Sequence, residues 1–464
     1  MAQLTFYGAT GTVTGSRFLL ELNGKKFLID CGLFQGKKEI RLKNWDPFPV
    51  PPSEIDAVIL THAHIDHIGY LPRLYKDGFD GPVYCTHSTA DLAQILLKDT
   101  GHLQEEDARW ANKRGFSKHR PALPLFTVED AEKVLTQFTP FHYGDDIEPT
   151  DGVRLKFKDA GHILGSSLVD IKTTSEHDGK KIVFCGDLGR PARAILRDPT
   201  QLYNVDYLVI ESTYGNRLHD ESSFYDDFAR VVYESVKRGG VLVVPSFAVG
   251  RTQTLLFVIR ELEEKGKIPI LPVYVDSPMA LEATTVYEKR IASQNLTCRL
   301  LTIMGKKIFK PEQLHLCESR KKSKAINEIK SGAIIISASG MVTGGRILHH
   351  LQQRLPDESN TVLFIGYQAE GTRGRKILEG KPDVKIHGQQ VPIRAKIENI
   401  SGFSCHADYN ETLAWLMGFN KAPRRTFIIH GEPEASQSLA EKINGKYNWN
   451  TVVPAFEESF LLDL

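Results

Sequence analysis

Three histidines and one aspartate lie within six residues in the segment THAHIDH, residues 61–67. The apolar run over residues 57–60 that precedes it predicts a buried strand. His62 and His64 are two residues apart, so they would leave the end of this strand on one face, while Asp66 and His67 would lie on the turn into the next helix. Two adjacent pairs of this kind indicate two metal ions, and imidazole and carboxylate ligands suit zinc. The alternative is a polar loop with solvated histidines.

Three further side chains with ligand chemistry follow strand-like runs. Taken alone, His162 would be a hydrogen-bonded core histidine, but a site for two metals needs more ligands than residues 61–67 supply. Asp187 ends an apolar run that begins at residue 181. An unpaired charge buried there would be costly, whereas a position between two zinc ions would compensate it. Glu211 repeats the pattern of a carboxylate at the end of a strand, after residues 207–210.

Composition places the chain in a broad class. Its 464 residues are 41% hydrophobic and 25% charged, which is typical of a globular protein of two or three domains. A net charge of +1 gives no global electrostatic reason to bind a polyanion. Six cysteines without a CxxC pair indicate reduced thiols in a reducing compartment. Residues 1–20 lack signal-peptide character, and no apolar run approaches a membrane span. We therefore expect a cytoplasmic protein with no membrane partner.

Local patterns predict an alternating α/β chain. Asn23-Gly24 between two strand-like runs predicts a β-hairpin. Helices are predicted over residues 88–98, 128–137, 222–237 and 252–265. Strands are predicted over residues 82–86, 153–159, 241–244, 268–275, 333–337 and 361–365. From residue 215 onwards the alternation is typical of a doubly wound parallel sheet.

At this point the chain resembles a known family. The segment 61–67, His162 and Asp187 are similar, in order and context, to the first four motifs of the metallo-β-lactamase fold. Glu211 within ESTYG, the segment SGFSCHADY at 401–409 and the segment IIHGE at 428–432 resemble the three additional motifs of the β-CASP nucleases. The resemblance covers essentially the whole chain. It is strongest to the branch that contains the endonuclease subunit of the cleavage and polyadenylation specificity factor and its prokaryotic relatives.

The resemblance implies an architecture. The fold class is α/β, a metallo-β-lactamase αββα sandwich with an inserted doubly wound β-CASP domain. Residues 1–210 would form the first part of the core, residues 211–395 the inserted domain, and residues 396–464 the C-terminal part of the core.

The resemblance also implies a mechanism. One zinc would be held by His62, His64 and His162, the other by Asp66, His67 and His430, with Asp187 bridging. Two zinc ions per chain would activate water for hydrolysis of single-stranded RNA, mainly endonucleolytically, leaving a 3′-hydroxyl and a 5′-phosphate. The catalytic set would comprise Asp66, Asp187, the proton donor His406 and Glu211, which orients it.

Substrate contacts are expected in the inserted domain and at its end. Ser339 and Thr343 lie in a glycine-rich stretch after a predicted strand, where backbone N–H groups could bind phosphate. A tight turn without a ligand is the alternative. Arg373 and Arg375 follow another strand, and Ser404 belongs to the segment 401–409. The basic residues between 306 and 324 are a further candidate surface for the RNA backbone, with plain solvated charge as the alternative.

Two other functions compete with the ribonuclease. A small-molecule metallo-hydrolase of the same fold, such as a thioesterase or lactamase, would need neither the long insertion nor His406. A non-catalytic RNA-binding scaffold would typically have degraded metal ligands, whereas every position is filled here. The sequence leaves a homodimer open.

Overall fold

The computed structural model describes residues 2–115, 119–174, 179–219 and 223–464, which form two compact units. The larger unit comprises Met1–Ala192, Asp198–Leu218 and His406–Leu464, and the inserted unit comprises Arg193–Arg197 and His219–Cys405. The larger unit is thus built from both ends of the chain.

The strands, in chain order, are β1 (Ala2–Phe6), β2 (Phe18–Leu22), β3 (Lys25–Ile29), β4 (Ala57–Ile59), β5 (Val83–Thr86), β6 (Phe138–Phe141), β7 (Ile147–Thr150), β8 (Val153–Asp159), β9 (Ser167–Thr173), β10 (Lys181–Phe184), β11 (Tyr207–Glu211), β12 (Leu242–Pro245), β13 (Val273–Val275), β14 (Leu314–Leu316), β15 (Ile334–Ser337), β16 (Thr361–Phe364), β17 (Asp383–Ile386), β18 (Gln389–Pro392), β19 (Lys396–Asn399), β20 (Arg425–Ile429), β21 (Thr451–Val452) and β22 (Ser459–Leu462).

The helices are α1 (Lys38–Leu42), α2 (Ile65–Ile68), α3 (Leu71–Lys76), α4 (His87–Arg114), α5 (Val128–Leu135), α6 (Phe224–Lys237), α7 (Arg251–Glu264), α8 (Pro278–Lys289), α9 (Leu296–Ile303), α10 (Arg320–Ala325), α11 (Ile347–Arg354), α12 (Arg373–Leu378), α13 (Tyr409–Leu416) and α14 (Pro433–Tyr447). No helix in the described part of the chain has the length and apolar character needed to cross a bilayer.

Two seven-stranded mixed sheets form the larger unit. Their strand orders are β22-β1-β2-β3-β4-β5-β6 and β21-β20-β11-β10-β9-β8-β7. Strands β3 to β6 run parallel, as do β10, β11, β20 and β21. Because carboxyl ends of parallel strands share one edge of a sheet, each sheet presents its strand-end loops together.

One apolar core fills the space between these sheets and includes Phe6 and Phe18 from one and Phe184 and Phe427 from the other. The rings of Phe6 and Phe427 lie 5.2 Å apart. Helices α13 and α14 pack on the outer face of the second sheet, and α4 packs against β5 and β6 of the first. The larger unit is therefore the four-layered αββα sandwich that the resemblance implies.

A six-stranded parallel sheet forms the centre of the inserted unit, in the order β14-β13-β15-β12-β16-β19. Strand β12 enters in the interior, and later strands are added on both of its sides. Helices α11 and α12 cover one face of the sheet through Leu351 and Ile377. Helix α7 is buried along most of its length and contacts α6 and α8. This is a doubly wound α/β fold.

Most predicted elements are confirmed, including the hairpin, in which Asn23 and Gly24 adopt φ of 51° and 72° between β2 and β3. Two predictions are corrected. The helix predicted over residues 88–98 extends to Arg114. The strand predicted over residues 268–275 begins only at Val273, because Pro272 cannot donate a ladder hydrogen bond. The predicted helix 222–237 begins at Phe224, and Ser222 lies outside the described residues.

Candidate metal centre

The segment that carries four of the predicted ligands is held by the loop that follows β3. The carboxylate of Asp30 accepts hydrogen bonds from the backbone N–H of Thr61 (2.8 Å) and from its hydroxyl (2.8 Å). The N–H of Cys31 donates to the carbonyl of His67 at 2.7 Å. Position 32 must be glycine, since a Cβ there would lie 1.6 Å from the carbonyl oxygen of Asp66. These contacts fix the ligand segment before α2 and within it.

One group of donor atoms combines His62, His64, His162 and Asp187, all lying within 4.8 Å of one another. The Nε2 of His62 and the Nδ1 of His64 are 3.0 Å apart, and the Nε2 of His162 lies 3.3 Å from the latter. A tetrahedral ion with bonds of about 2.0–2.1 Å separates its ligands by roughly 3.3 Å. The four atoms therefore have the spacing of a zinc coordination shell.

A second group combines Asp66, His67 and His430. The Oδ2 of Asp66 lies 3.4 Å from the Nε2 of His430 and 4.0 Å from the Nε2 of His67. Asp187 lies between the two groups. Its Oδ2 is 3.4 Å from the Nε2 of His62, and its Oδ1 is 3.3 Å from the Nε2 of His67. Each oxygen of this one carboxylate thus faces a different group.

Two buried polar atoms in this cluster have no hydrogen-bond partner among the described residues, the Nδ1 of His162 and the Oδ1 of Asp187. The Oδ1 of Asp187 has imidazole nitrogens of His67 and His430 at 3.3 Å and 3.5 Å, but a buried carboxylate oxygen without a hydrogen bond is costly unless a cation compensates it. The donor set of imidazoles and carboxylates, without thiolate, is one that zinc accepts. The residues present therefore fit a metal centre.

The pKa shifts of the histidines differ between the two donor groups. Burial lowers the pKa values of His62, His64 and His162 below the ordinary value, so these imidazoles are neutral and can donate lone pairs. Burial also acts to lower the pKa of His67, but the carboxylates of Asp187 and Asp30 raise it well above the ordinary value. The second group therefore attracts positive charge, which a metal ion would supply.

The pKa values of the carboxylates shift in the matching direction. Burial alone would raise the pKa of Asp187, but His430, His67 and His62 hold it well below the ordinary value. For Asp66, burial is likewise outweighed by the hydrogen bond from His430, which lowers its pKa. Both carboxylates are thus ionised and ready to act as ligands.

His406 lies beside the cluster with a separate partner. Its Nδ1 is 2.9 Å from the Oε1 of Glu211 and 3.9 Å from the Oδ2 of Asp187. Backbone N–H groups of Leu188 and Thr213 donate to the Glu211 carboxylate and fix it in place. The side chain of His406 is 14% exposed, whereas His62 and His162 are fully buried. His406 is therefore held at the boundary between the cluster and solvent.

Three orienting residues were missed by sequence reasoning. Asp30 lies 2.8 Å from the Nδ1 of His67, Thr61 lies 3.1 Å from the Nδ1 of His62, and Thr213 lies 3.2 Å from the Nδ1 of His430. Each leaves the Nε2 of its histidine directed at the cluster. Asp30 could have been identified from the sequence, since it is a carboxylate at a strand end like Asp187 and Glu211. The two threonines carried none beyond their position next to a ligand or motif residue.

The predicted substrate contacts all lie in the inserted unit. The hydroxyls of Ser339 and Thr343 are 3.0 Å apart in the loop after β15. Arg373 donates to the carbonyls of Val342 and Thr343, so it belongs to the same loop.

Arg375 and Ser404 differ from this group. Arg375 forms an ion pair with Glu379 at 2.7 Å. The hydroxyl of Ser404 is buried and has no hydrogen-bond partner among the described residues. The basic residues of the 306–324 surface are exposed or half-exposed, namely Lys306, Lys307, Lys310, Arg320, Lys321, Lys322 and Lys324.

Comparison with known families and proteins agrees with this geometry. Three family descriptions match the chain, "Metallo-beta-lactamase superfamily" over residues 11–220, "Beta-Casp domain" over 252–377 and "Zn-dependent metallo-hydrolase RNA specificity domain" over 390–454. Ribonuclease TTHA0252 of Thermus thermophilus is 36% identical over 94% of each chain. Transcription termination factor FttA of Methanocaldococcus jannaschii is 32% identical over 97% of this chain and 70% of its own length.

Two further similarities bear on family and fold. The RNase J-like protein of Methanocaldococcus jannaschii is 32% identical over 98% of each chain. A crystal structure of a protein of unknown function from Enterococcus faecalis V583 has a TM-score of 0.54 at 14% identity, covering 99% of this chain and 100% of that one. The latter supports the fold alone. The chain therefore belongs to the metallo-β-lactamase superfamily and, within it, to the β-CASP ribonuclease family.

Proposed function

We propose that the chain is a zinc-dependent ribonuclease that hydrolyses single-stranded RNA, mainly endonucleolytically, with two zinc ions per chain. The observation that carries the proposal is the arrangement of two donor groups around the two oxygens of Asp187. Two ions held about 3.5–4 Å apart are the arrangement that serves in-line displacement at phosphorus. Relatives named as ribonuclease and RNase J-like protein support RNA as the substrate.

The donor groups assign the ligands. One ion would be held by His62, His64 and His162, the other by Asp66, His67 and His430, with Asp187 between them. When bound, zinc lowers the pKa of water to near neutrality and polarises a phosphoryl oxygen. Asp66 and Asp187 belong to the catalytic set because they hold these ions.

His406 moves the proton that the leaving group needs. Attack of water on phosphorus breaks the bond to the 3′ oxygen, a poor leaving group that must be protonated. Because the Nδ1 of His406 is engaged with Glu211, the Nε2 is the atom that donates. Glu211 orients the ring. The products are a 3′-hydroxyl and a 5′-phosphate.

RNA contacts in the inserted unit, His219–Cys405, complete the proposal. Ser339, Thr343, Arg373, Arg375 and Ser404 would contact the RNA. The predicted domain range of 211–395, between core parts 1–210 and 396–464, contains all of these contacts except Ser404. The paired hydroxyls of Ser339 and Thr343 and the unsatisfied hydroxyl of Ser404 support the contacts, since each could donate to a phosphate oxygen.

We further propose a cytoplasmic location, which the six free cysteines support. We also propose a homodimer, which light scattering would test.

End mapping tests the reaction. The zinc-loaded chain is incubated with end-labelled single-stranded RNA, single-stranded DNA and the small diester bis-p-nitrophenyl phosphate. We expect internal cuts in RNA with 5′-phosphate ends. Hydrolysis of the small diester without RNA cleavage would favour a small-molecule hydrolase, and RNA binding without cleavage would favour a scaffold.

A further inference from the structure

Helix α4 carries an exposed tryptophan far from the metal centre. Trp110 lies one turn before the C-terminal end of the helix and is 51% exposed. Leu103, seven residues earlier on the same face, is also exposed. Tryptophan is enriched among the residues that anchor binding surfaces. The solvent-facing ring is therefore available as a contact surface.

The sequence on the C-terminal side of this tryptophan is basic, whereas the helical turn before it is acidic. Residues 108–128 contain five Lys or Arg residues and no Asp or Glu, whereas the helical turn before them carries Glu105, Glu106 and Asp107. The guanidinium of Arg114 lies 5.2 Å from the Trp110 ring centroid, and the ammonium of Lys113 lies 5.7 Å from it. Cations in the last turn of a helix also offset its dipole, but that does not account for Arg109 or Arg120. Arg109, Lys113 and Arg114 therefore gather positive charge at the C-terminal end of the helix, and this favours an anionic ligand beside the ring.

The C-terminal part of α4 is held by hydrogen bonds to residues that follow the helix. Asn112 exchanges two hydrogen bonds with the backbone of Ala122, at 2.9 Å and 2.7 Å. The side chain of Gln104 accepts from the N–H of Leu125. Ala122 and Leu125 are thus tied to the helix, and these bonds support the surface that carries Trp110 and its cations.

The other end of α4 adjoins the metal centre. The hydroxyls of Thr86 and Thr89, at the start of the helix, donate to the carbonyl of Gly165 in the loop that carries His162. Trp110 is 23 residues beyond His87, which at a rise of 1.5 Å per residue is about 35 Å along the axis. Stacked nucleotides spaced by about 3.4 Å would cover this length in roughly ten residues of RNA.

We propose that Trp110, with Arg109, Lys113 and Arg114, forms an accessory binding site on which an unpaired base of a long RNA stacks while the cations contact its phosphates. The proposal rests on the proposed ribonuclease function and names a substrate site for it outside the metal centre. Base stacking on an aromatic ring tolerates any sequence. An acidic peptide would use the cations but would not require the ring, and a second copy of the chain would bring like charges together.

Substrates of two lengths distinguish a role in RNA binding at this site from a role in catalysis. Cleavage kinetics are measured on an RNA of about 30 nucleotides, which can span the distance, and on one of about four, which cannot. For Trp110→Ala we expect KM on the long RNA to rise by about 5- to 100-fold, with kcat unchanged and the short RNA unaffected. Trp110→Phe should retain most of the affinity, because it preserves a stacking ring.

Tyr203→Ala is the matched control, since Tyr203 is an aromatic residue that is 54% exposed in a stretch, residues 198–210, without Lys or Arg; it should behave as wild type. Unchanged KM in Trp110→Ala, or an equal loss on both RNA lengths, would overturn the site, the second result indicating a structural role.

Binding of fluorescein-labelled RNA, followed by anisotropy, is measured in parallel. If the wild type cleaves no RNA, the ribonuclease proposal fails, while a Trp110-dependent affinity for long RNA would still support the site. If polyglutamate competes as well as RNA and its binding ignores Trp110→Ala, the surface binds polyanions generally and the stacking site is wrong.

Discussion

Asp30→Asn should weaken one of the two metal positions through the protonation of a neighbouring ring. The Oδ2 of Asp30 accepts from the hydroxyl of Thr61 and lies 2.8 Å from the Nδ1 of His67. With this carboxylate as acceptor, His67 carries its proton on Nδ1 and presents the lone pair of Nε2 to the metal. In the Asp30→Asn variant the amide oxygen still accepts from the backbone of Thr61, so the amide NH₂ must occupy the Oδ2 position. It would then donate to the Nδ1 of His67 and shift the ring proton to Nε2.

Such a change removes one ligand without removing a side chain. Loss of an orienting partner typically costs 10- to 100-fold in metal affinity, which is about 1.4 to 2.8 kcal/mol. The metal at the Asp66–His67–His430 group should therefore weaken by that factor, while the group of His62, His64 and His162 keeps its ion. Competition against a chromophoric zinc chelator would give the two affinities separately.

A matched control is Asp206→Asn, because Asp206 is another buried carboxylate of the larger unit that accepts a backbone hydrogen bond, from Lys181. It should lower stability without changing zinc affinity. If Asp30→Asn keeps both ions at wild-type affinity, or if both ions weaken equally, the tautomer argument is refuted.

His430→Ala should release one of two zinc ions and leave the other, as metal analysis after dialysis would show; loss of neither would contradict the two-group assignment. His406→Ala should keep both ions yet slow cleavage by about 10²- to 10⁴-fold, with Glu211→Gln milder. An RNA with a 3′-bridging phosphorothiolate, whose sulfur leaves without a proton, should recover much of this rate, and no recovery would exclude His406 as the acid. Burial would raise the pKa of Asp276, but hydrogen bonds from His350 and its neighbours lower it. A depressed folded-state pKa contributes stability above the unfolded value of about 3.9, so this stability should disappear as acid takes the pH below about 4. In Asp276→Asn the free energy of unfolding, measured by urea denaturation at each pH, should therefore fall less steeply below a pH of about 4.

The cluster of donor side chains was accessible from sequence because its histidines and aspartates follow apolar strands. Residues 61–67 and Asp187 are polar groups at the ends of buried runs, a pattern that plain surface loops do not show. The partner of His67 was missed because Asp30 precedes the cluster by more than thirty residues, and only the pairing of β3 with β4 brings it near.

The length of α4 was missed for a different reason. Beyond Gly101 the helix has few buried residues, so apolar periodicity fades there. Glycine at position 101 is typical of a helix end, yet a Cβ at this position would lie 2.9 Å from the backbone of Thr127. Close packing against a neighbouring chain segment, which sequence cannot show, explains this glycine.

The order in which the chain is made bears on when the larger unit can form. β22 pairs with β1 across more than 450 residues, as the hydrogen bond between Thr5 and Ser459 shows. β20 covers the edge of β11 and delivers His430. Until β20 and β22 have been synthesised, each sheet of the larger unit therefore has an unpaired edge. The inserted unit is almost one continuous stretch and can fold first. A nascent chain stopped before residue 425 would lack His430 and hold an incomplete donor cluster, so we expect nuclease activity to arise only once the segment that carries His430 has left the ribosome.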